Sequence, residues 1–133
     1  MIEAGVDEAG RGPLAGPVFA AAVILDDAID IKGLDDSKKI SAIKRELIAR
    51  KIQETALSWS IGLSTAQEID EINILKASLL AMKRAIEGLD IFPDIALIDG
   101  QHAPKTKCEV QTIIRGDQSK KNIMAASILA KVG

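Results

Sequence analysis

The sequence predicts an α/β protein in which helices cover a mixed β-sheet. Short, almost entirely apolar segments of strand length alternate with longer segments whose apolar residues recur every three or four positions. Several of the strand-like segments end in an acidic residue next to a glycine. Alternation of this kind is typical of a sheet flanked by helices.

Three strands and one helix are expected in the first half of the chain. Residues 2–8 form a short strand that runs into a glycine-rich segment. The apolar run over 17–25 suits a strand buried on both faces. Ser41 is a good N-cap for a helix over about 42–56, and residues 57–64 follow as a strand. The apolar stripe of that helix consists of Ile43, Leu47, Ile48 and Ile52.

Two helices and two strands are expected in the second half. Apolar residues at steps of four, three, four and three predict a helix over 75–89. A buried strand follows at 95–98, and another strand is expected at 109–115. The last segment, 119–132, predicts a helix that is apolar on nearly every side, as expected of a helix packed against more than one neighbour.

The composition favours one domain spanning residues 1–133. Hydrophobic residues make up 47% and charged residues 27% of the chain, which suits a packed core and argues against disorder. The net charge of −2 means that any nucleic-acid site must come from local clustering. A single cysteine, Cys108, suits a reducing compartment. No signal-peptide pattern opens the chain and no apolar run could span a bilayer, so we expect a cytoplasmic protein without membrane contact.

Acidic residues stand at or just beyond the ends of three predicted strands. Asp7 and Glu8 end the first, Asp99 stops the strand at 95–98, and Asp117 follows the strand at 109–115. Ligand sites in α/β sheets lie beyond the carboxyl ends of strands, so we expect the four side chains to converge. Clustered carboxylates repel one another, and Mg²⁺ prefers such hard oxygen ligands. Two ions about 3.5–4 Å apart would polarise a phosphodiester and activate a water.

Two considerations limit this prediction. An Asp-Gly pair at a strand end is usually only a turn, which is the simpler interpretation of Asp99 or Asp117 taken alone. Successive strand residues also point to opposite faces. Asp7 and Glu8 therefore share a site only if the strand ends there, which Gly10 favours.

The segment at residues 5–18, Gly-Val-Asp-Glu-Ala-Gly-Arg-Gly-Pro-Leu-Ala-Gly-Pro-Val, closely resembles the opening signature of the ribonuclease HII family. Further matches follow in the family's order and extend the resemblance over essentially the whole chain. They are residues 33–39, 74–89, 99–100, 116–117 and 123–132. The resemblance implies an RNase H-like fold, a mixed β-sheet flanked by α-helices.

The resemblance implies a metal-dependent endoribonuclease that cuts the RNA strand of RNA/DNA hybrids and ribonucleotides embedded in DNA. It would leave a 3′-hydroxyl and a 5′-phosphate, using two Mg²⁺ or Mn²⁺ ions. The family's catalytic and metal-binding carboxylates fall on Asp7, Glu8, Asp99 and Asp117, the residues already found at strand ends. The family's substrate-binding positions fall on Gly10, Arg11, Gly12, Ser37, Lys38, Lys39, Ser127 and Lys131.

These substrate positions have different expected roles. The backbone of the Gly10-Arg11-Gly12 loop would read the 2′-hydroxyl, which distinguishes RNA from DNA. Residues 37–39 match the family's phosphate-contacting segment, and Lys131 could contact a phosphate. Ser127 either contacts substrate or packs as a small residue.

The resemblance also implies a further, mainly helical segment beyond Gly133 that holds a substrate-stacking tyrosine. The sequence has no tyrosine, so we expect a C-terminally truncated domain with an incomplete substrate pocket. The alternative function is a catalytically impaired remnant that binds hybrid duplex without cutting. Without that segment, we expect the helix at 119–132 to expose an apolar strip and to favour self-association. No obligate protein partner is implied.

A dinucleotide-binding loop is disfavoured. The motif G-x-G-x-x-G requires a third glycine at position 15, whereas Gly16 stands one residue late. An apolar strand, and not a helix, follows the loop.

Overall fold

A computed structural model describes residues 1–10, 16–35 and 40–132. In this part of the chain, five strands form one mixed sheet in the order β3-β2-β1-β4-β5. The strands are β1 (Glu3–Ala9), β2 (Val18–Ile24), β3 (Ser58–Ser64), β4 (Ile95–Asp99) and β5 (Glu109–Ile113). The pairs β1–β2 and β2–β3 are antiparallel, and the pairs β1–β4 and β4–β5 are parallel. The α/β class and every predicted strand are confirmed.

Helices cover both faces of the sheet. They are α1 (Ala42–Thr55), α2 (Ala66–Ile72), α3 (Ile74–Glu87), α4 (Gly116–Ser119) and α5 (Lys121–Val132). One hydrophobic cluster lies between the sheet, α1 and α5, and a second lies between the sheet and α3. Alternate β2 residues enter the two clusters, Ala21 and Val23 on the α5 side and Ala20 and Ala22 on the α3 side. Burial on both faces explains why the segment over 17–25 is apolar throughout.

The Ser41 N-cap of α1 is confirmed, because the Ser41 hydroxyl accepts a hydrogen bond from the Lys44 amide at 3.2 Å. The predicted apolar stripe of α1 is wrong in part. Ile52 is fully buried, but Ile43 is 74% and Leu47 58% exposed. A helix turns about 100° per residue, so Ile43, nine positions before Ile52, lies on the opposite side. The buried face instead contains Ala49 and Ile52.

Helix α2 was not expected from the sequence. Thr65 and Glu68 form a capping box, in which the Thr65 side chain accepts from the Glu68 amide and the Glu68 carboxylate accepts from the Thr65 amide. Arg84 of α3 donates two hydrogen bonds to Glu68, at 2.7 and 2.8 Å, and one to the Leu63 carbonyl. The Arg84 guanidinium lowers the pKa of Glu68 to about 2. The isoleucine side chains of α2, Ile69 and Ile72, are only partly buried, and seven residues are too few to establish a helical apolar stripe.

The expectation of an exposed apolar strip on the C-terminal helix is wrong. Every residue of α5 from Ile123 to Ala130 is buried, which includes four of the five large apolar side chains expected to form the strip, and only the fifth, Val132, is exposed, at 38%. The helix packs against β1, β2 and α1, with α4 beside it. Ile31 and Leu34, from the loop after β2, belong to the same cluster and complete this covering. The premise for self-association through α5 is therefore absent from the described residues.

No helix in the described ranges is both long and apolar enough to cross a membrane.

Gly62 lets α3 lie directly on β3. A Cβ atom at this position would overlap the Ala81 carbonyl oxygen and come within 2.5 Å of the Ala85 nitrogen, both of them backbone atoms. We predict that Gly62→Ala lowers the free energy of unfolding by about 1–3 kcal/mol, because α3 must move away from the sheet. Gly16→Ala is the control, since a Cβ there meets nothing within 4 Å. Urea unfolding of both variants measures the difference, and equal stabilities would contradict this account of the packing.

Candidate metal centre

Two of the predicted acids stand side by side at the centre of the sheet. In the parallel pair β1–β4, Val6 faces Ile98, so the next residue on each strand is an acid, Asp7 on β1 and Asp99 on β4. Each strand directs its acid toward the α5 face, since Gly5, two residues before Asp7, lies against the α5 backbone. The register of two parallel strands thus brings two carboxylates together.

The third acid arrives on a helical turn. The sequence placed Asp117 just past a strand end, but β5 ends at Ile113 and Asp117 lies in α4. The connection turns at Arg115, whose φ of 56° is in the left-handed region. The Asp117 amide then donates to the Asp99 Oδ1 atom at 3.3 Å.

Asp7, Asp99 and Asp117 form the acid cluster. One carboxylate oxygen from each lies within 4.8 Å of the others, and Asp7 is only 5% exposed. Convergence of these three residues, expected from the sequence, is confirmed.

Glu8 lies outside this group of three. β1 does not end at Glu8 but continues to Ala9, which pairs with Phe19 of β2. Because the pleat alternates, Glu8 points to the α3 face, where it lines a small groove with Leu75 and Met82. Asp99 and His102 line the same groove, so Glu8 approaches the acid cluster from the other side of β1.

The predicted substrate-binding residues are only partly within the described ranges. Arg11, Gly12, Ser37, Lys38 and Lys39 lie outside them. Gly10 is exposed with φ of 95°, and a Cβ there would approach the Pro17 carbonyl oxygen at 2.8 Å, so the position requires glycine. Ser127 is buried on α5, whereas Lys131 is exposed near the end of that helix.

Comparison with known protein families assigns the chain to one of them. The family model for ribonuclease HII matches residues 4–133. The chain belongs to the ribonuclease HII family. It is 59% identical over 127 residues to the ribonuclease HII of Janthinobacterium sp. (strain Marseille), covering 96% of this chain and 60% of that protein. It is 57% identical over 129 residues to that of Nitrosococcus oceani, covering 97% of this chain and 64% of the relative. The chain thus spans about 60–64% of the length of these curated relatives.

Solved structures of similar proteins share the fold. The crystal structure of ribonuclease H2 from Pyrococcus horikoshii OT3 is 28% identical, with a TM-score of 0.85 over 99% of this chain and 71% of that one. A structure of Bst-RNase HIII in complex with Mn²⁺ has a TM-score of 0.80 over 98% of this chain and 51% of that one. At 21% identity, this second likeness concerns the fold alone. The RNase H-like α/β fold expected of a ribonuclease HII family member is confirmed.

Burial and electrostatic repulsion both act on the acid cluster. Burial, followed by the charges of Asp99, Glu8 and Asp117, raises the pKa of Asp7 from its ordinary 3.8 to about 8. One hydrogen bond acts against these effects, because the Glu8 amide donates to the Asp7 Oδ1 atom at 2.8 Å. At neutral pH the metal-free cluster therefore keeps a proton on Asp7.

The residues present fit a divalent cation. Carboxylate oxygens are the ligands that Mg²⁺ and other hard cations prefer, and three of them surround one small volume here. A cation would replace the proton on Asp7 and remove the repulsion that the cluster otherwise contains. The raised pKa of Asp7 and the preference of hard cations for oxygen ligands therefore both favour a divalent cation in the acid cluster.

The shifted pKa of Asp7 predicts how metal-free stability changes with pH. The unfolded chain releases this proton near pH 3.8 and the folded chain near pH 8, so between them the folded state binds more protons. Stability is then fully present below pH 4 and falls as the pH rises toward 8. Between pH 5 and 8 the Asp7 contribution to the free energy of unfolding should fall by about 2–4 kcal/mol.

Urea unfolding in the presence of a chelator measures this change. Asp7→Asn should remove the Asp7 contribution and be more stable than the wild-type protein at pH 8. The exposed Asp27→Asn is the control and should retain the wild-type slope. An Asp7→Asn variant with the wild-type slope would contradict the assignment.

Proposed function

We propose that this chain is the RNase H-like catalytic domain of a metal-dependent endoribonuclease. It would hydrolyse the RNA strand of RNA/DNA hybrids and cut at ribonucleotides embedded in DNA, leaving a 3′-hydroxyl and a 5′-phosphate. The observation that carries the proposal is the acid cluster of Asp7, Asp99 and Asp117 in a chain of the ribonuclease HII family. A cytoplasmic role in DNA replication and repair fits this substrate.

Asp7, Asp99 and Asp117 would hold the metal, with Glu8 as a fourth ligand that approaches from the opposite face of β1. Two Mg²⁺ or Mn²⁺ ions bound there would supply Lewis-acid polarisation of the phosphodiester and a water of lowered pKa. Bst-RNase HIII, which shares the fold, has been solved in complex with Mn²⁺, and that ion is therefore a suitable probe for this chain.

Backbone amides donate to both strand carboxylates and limit their rotation, more tightly at Asp7 than at Asp99. The Glu8 amide donates to Asp7 Oδ1 at 2.8 Å, and the Asp117 amide donates to Asp99 Oδ1 at 3.3 Å. Each bond restricts rotation of a carboxylate before any ligand arrives, which lowers the entropy that metal binding must remove. The sheet thus supplies preorganised oxygen ligands.

Substrate recognition is proposed for the loop and helix residues around the acid cluster. The backbone of Gly10, Arg11 and Gly12 would approach the ribose and read its 2′-hydroxyl. The phosphates would be contacted by side chains from two other segments. These are Ser37, Lys38, Lys39 and Lys131, whereas Ser127, which is buried on α5, either contacts substrate or packs as a small residue.

A cleavage assay on a DNA duplex that carries one ribonucleotide tests the proposal. With Mg²⁺, the protein should cut the strand that carries the ribonucleotide and leave a 3′-hydroxyl and a 5′-phosphate. Asp99→Asn should lower the rate by about 100-fold or more, because ligand loss costs at least as much as loss of an outer-shell partner. Glu109→Gln, an exposed acid at the opposite end of the neighbouring strand, should stay within about twofold of wild type.

The same assay separates the proposal from its alternative. Binding of the hybrid duplex without cleavage, in a folded protein supplied with Mg²⁺ or Mn²⁺, would favour a catalytically impaired chain. Equal rates for Asp99→Asn and wild type would show that the acid cluster is not the catalytic centre.

A further inference from the structure

We propose that Asn122 is a positioning residue of the metal centre. Its side chain fixes the start of α5 against the sheet, and α5 in turn sets where Asp117 meets Asp7 and Asp99. The inference rests on the proposed metal centre and names the contact that assembles it.

The side-chain amide of Asn122 bridges two strands. Its Nδ2 atom donates to the Glu3 carbonyl of β1 at 3.1 Å, and its Oδ1 atom accepts from the Leu25 amide, just after β2, at 3.0 Å. The β1–β2 ladder pairs Gly5 with Val23, and the same register continued by two residues would face Glu3 with Leu25. The Asn122 amide, one donor and one acceptor, takes the place of backbone pairing where the two strands separate.

Gly5 brings the backbone of α5 directly onto β1. A Cβ atom at Gly5 would overlap the Asn122 carbonyl carbon and the Ile123 nitrogen. Gly5 lies two residues before Asp7 on the same face of the strand. Close approach fixes the distance between helix and strand, but apolar packing is non-directional and fixes the position along the strand only weakly. The two directional hydrogen bonds of Asn122 supply that second restraint.

The position of α5 determines the position of Asp117. A Cβ atom at Gly116 would overlap the Cδ1 atom of the fully buried Ile123, so α4 lies directly on the first turn of α5. The Lys120 amide donates to the Gly116 carbonyl at 2.8 Å, and the Met124 amide donates to the Lys120 carbonyl at 2.9 Å. A shift of the α5 start is therefore passed to α4 and to its acid.

Metal ligands tolerate little displacement, since a productive geometry must be held to within about 0.5 Å. The amide of Asp117 meets Asp99 Oδ1 at 3.3 Å, beyond the usual range for a hydrogen bond of this type. A contact of this length restrains the position of α4 less than a short bond would. The tether at Asn122 adds a restraint on the position of α5 and, through α4, on the ligand geometry.

Asn122→Ala and Ser58→Ala form a matched pair for the test. Asn122→Ala removes both bonds between α5 and the sheet. Ser58→Ala removes a similar side-chain bond at the same end of the sheet, from the Asp90 amide to the buried Ser58 hydroxyl, but this bond does not hold α5. Asn122→Asp keeps the size and the acceptor for Leu25, and replaces the alanine variant if that variant does not fold.

Two measurements are made on folded protein at low temperature. The first is the Mn²⁺ dissociation constant by electron paramagnetic resonance, which requires no activity. We expect Asn122→Ala to weaken binding by about 10-fold or more, in the range found for outer-shell partners, and Ser58→Ala to stay within about twofold. The second is hydrogen–deuterium exchange of the segment 116–124 without metal, which should be faster only in Asn122→Ala.

The outcomes separate this inference from the proposed function. If wild-type protein binds Mn²⁺ and Asn122→Ala binds it equally well, the positioning role is overturned and the metal centre stands. Unchanged exchange in segment 116–124 overturns it as well. Equal weakening in both variants would mean a general effect of lost stability, which also overturns it. Absence of Mn²⁺ binding in the wild-type protein, or unchanged binding in Asp99→Asn, would overturn the metal centre itself.

Discussion

The mutual repulsion of Asp7, Asp99 and Asp117 is the constraint on which the rest of the structure depends. Three carboxylates with one oxygen each within 4.8 Å of the others oppose folding, and burial together with these charges raises the pKa of Asp7 to about 8. The hydrophobic clusters on the two faces of the sheet must offset this repulsion. A site of this kind is stable only when the surrounding core holds its strands and helices in place, or when a cation binds.

Small residues and close backbone contacts in the core hold the strands and helices that carry the acids in place. Alanines of β2 and glycines at positions 5 and 62 let helices lie directly against strands, so that backbone meets backbone. Contacts of this type leave the helices little freedom to move relative to the strands, because a close-packed interior transmits displacements and does not absorb them. The acids are consequently carried on closely packed elements, the parallel strands β1 and β4 and the short helix α4, which lies on the first turn of α5.

The sequence predicted most of the fold and three members of the acid cluster, because strand ends and apolar periodicity are local properties of the chain. Where the outcome depended on tertiary contacts, prediction failed. Asp117 converges as predicted but on a helical turn and not at a strand end, Glu8 points to the opposite face because β1 continues past it, and the short α2 is only partly buried. The T-x-x-E pattern at Thr65 and Glu68 was a local signal that could have indicated α2. No pattern reveals Asn122, whose partners are distant in sequence.

The distance in sequence between those partners has a consequence for how the molecule folds. Asn122 bonds to Glu3, 119 positions away, and α5 packs on β1. Contacts of such high sequence separation form slowly, because the segment between Glu3 and Asn122 must be closed into a loop before the contact stabilises the fold. During synthesis β1 emerges before α5, and the face of β1 that α5 covers stays exposed until α5 has also emerged. The same delay keeps the three acids apart until the core that restrains them is nearly complete.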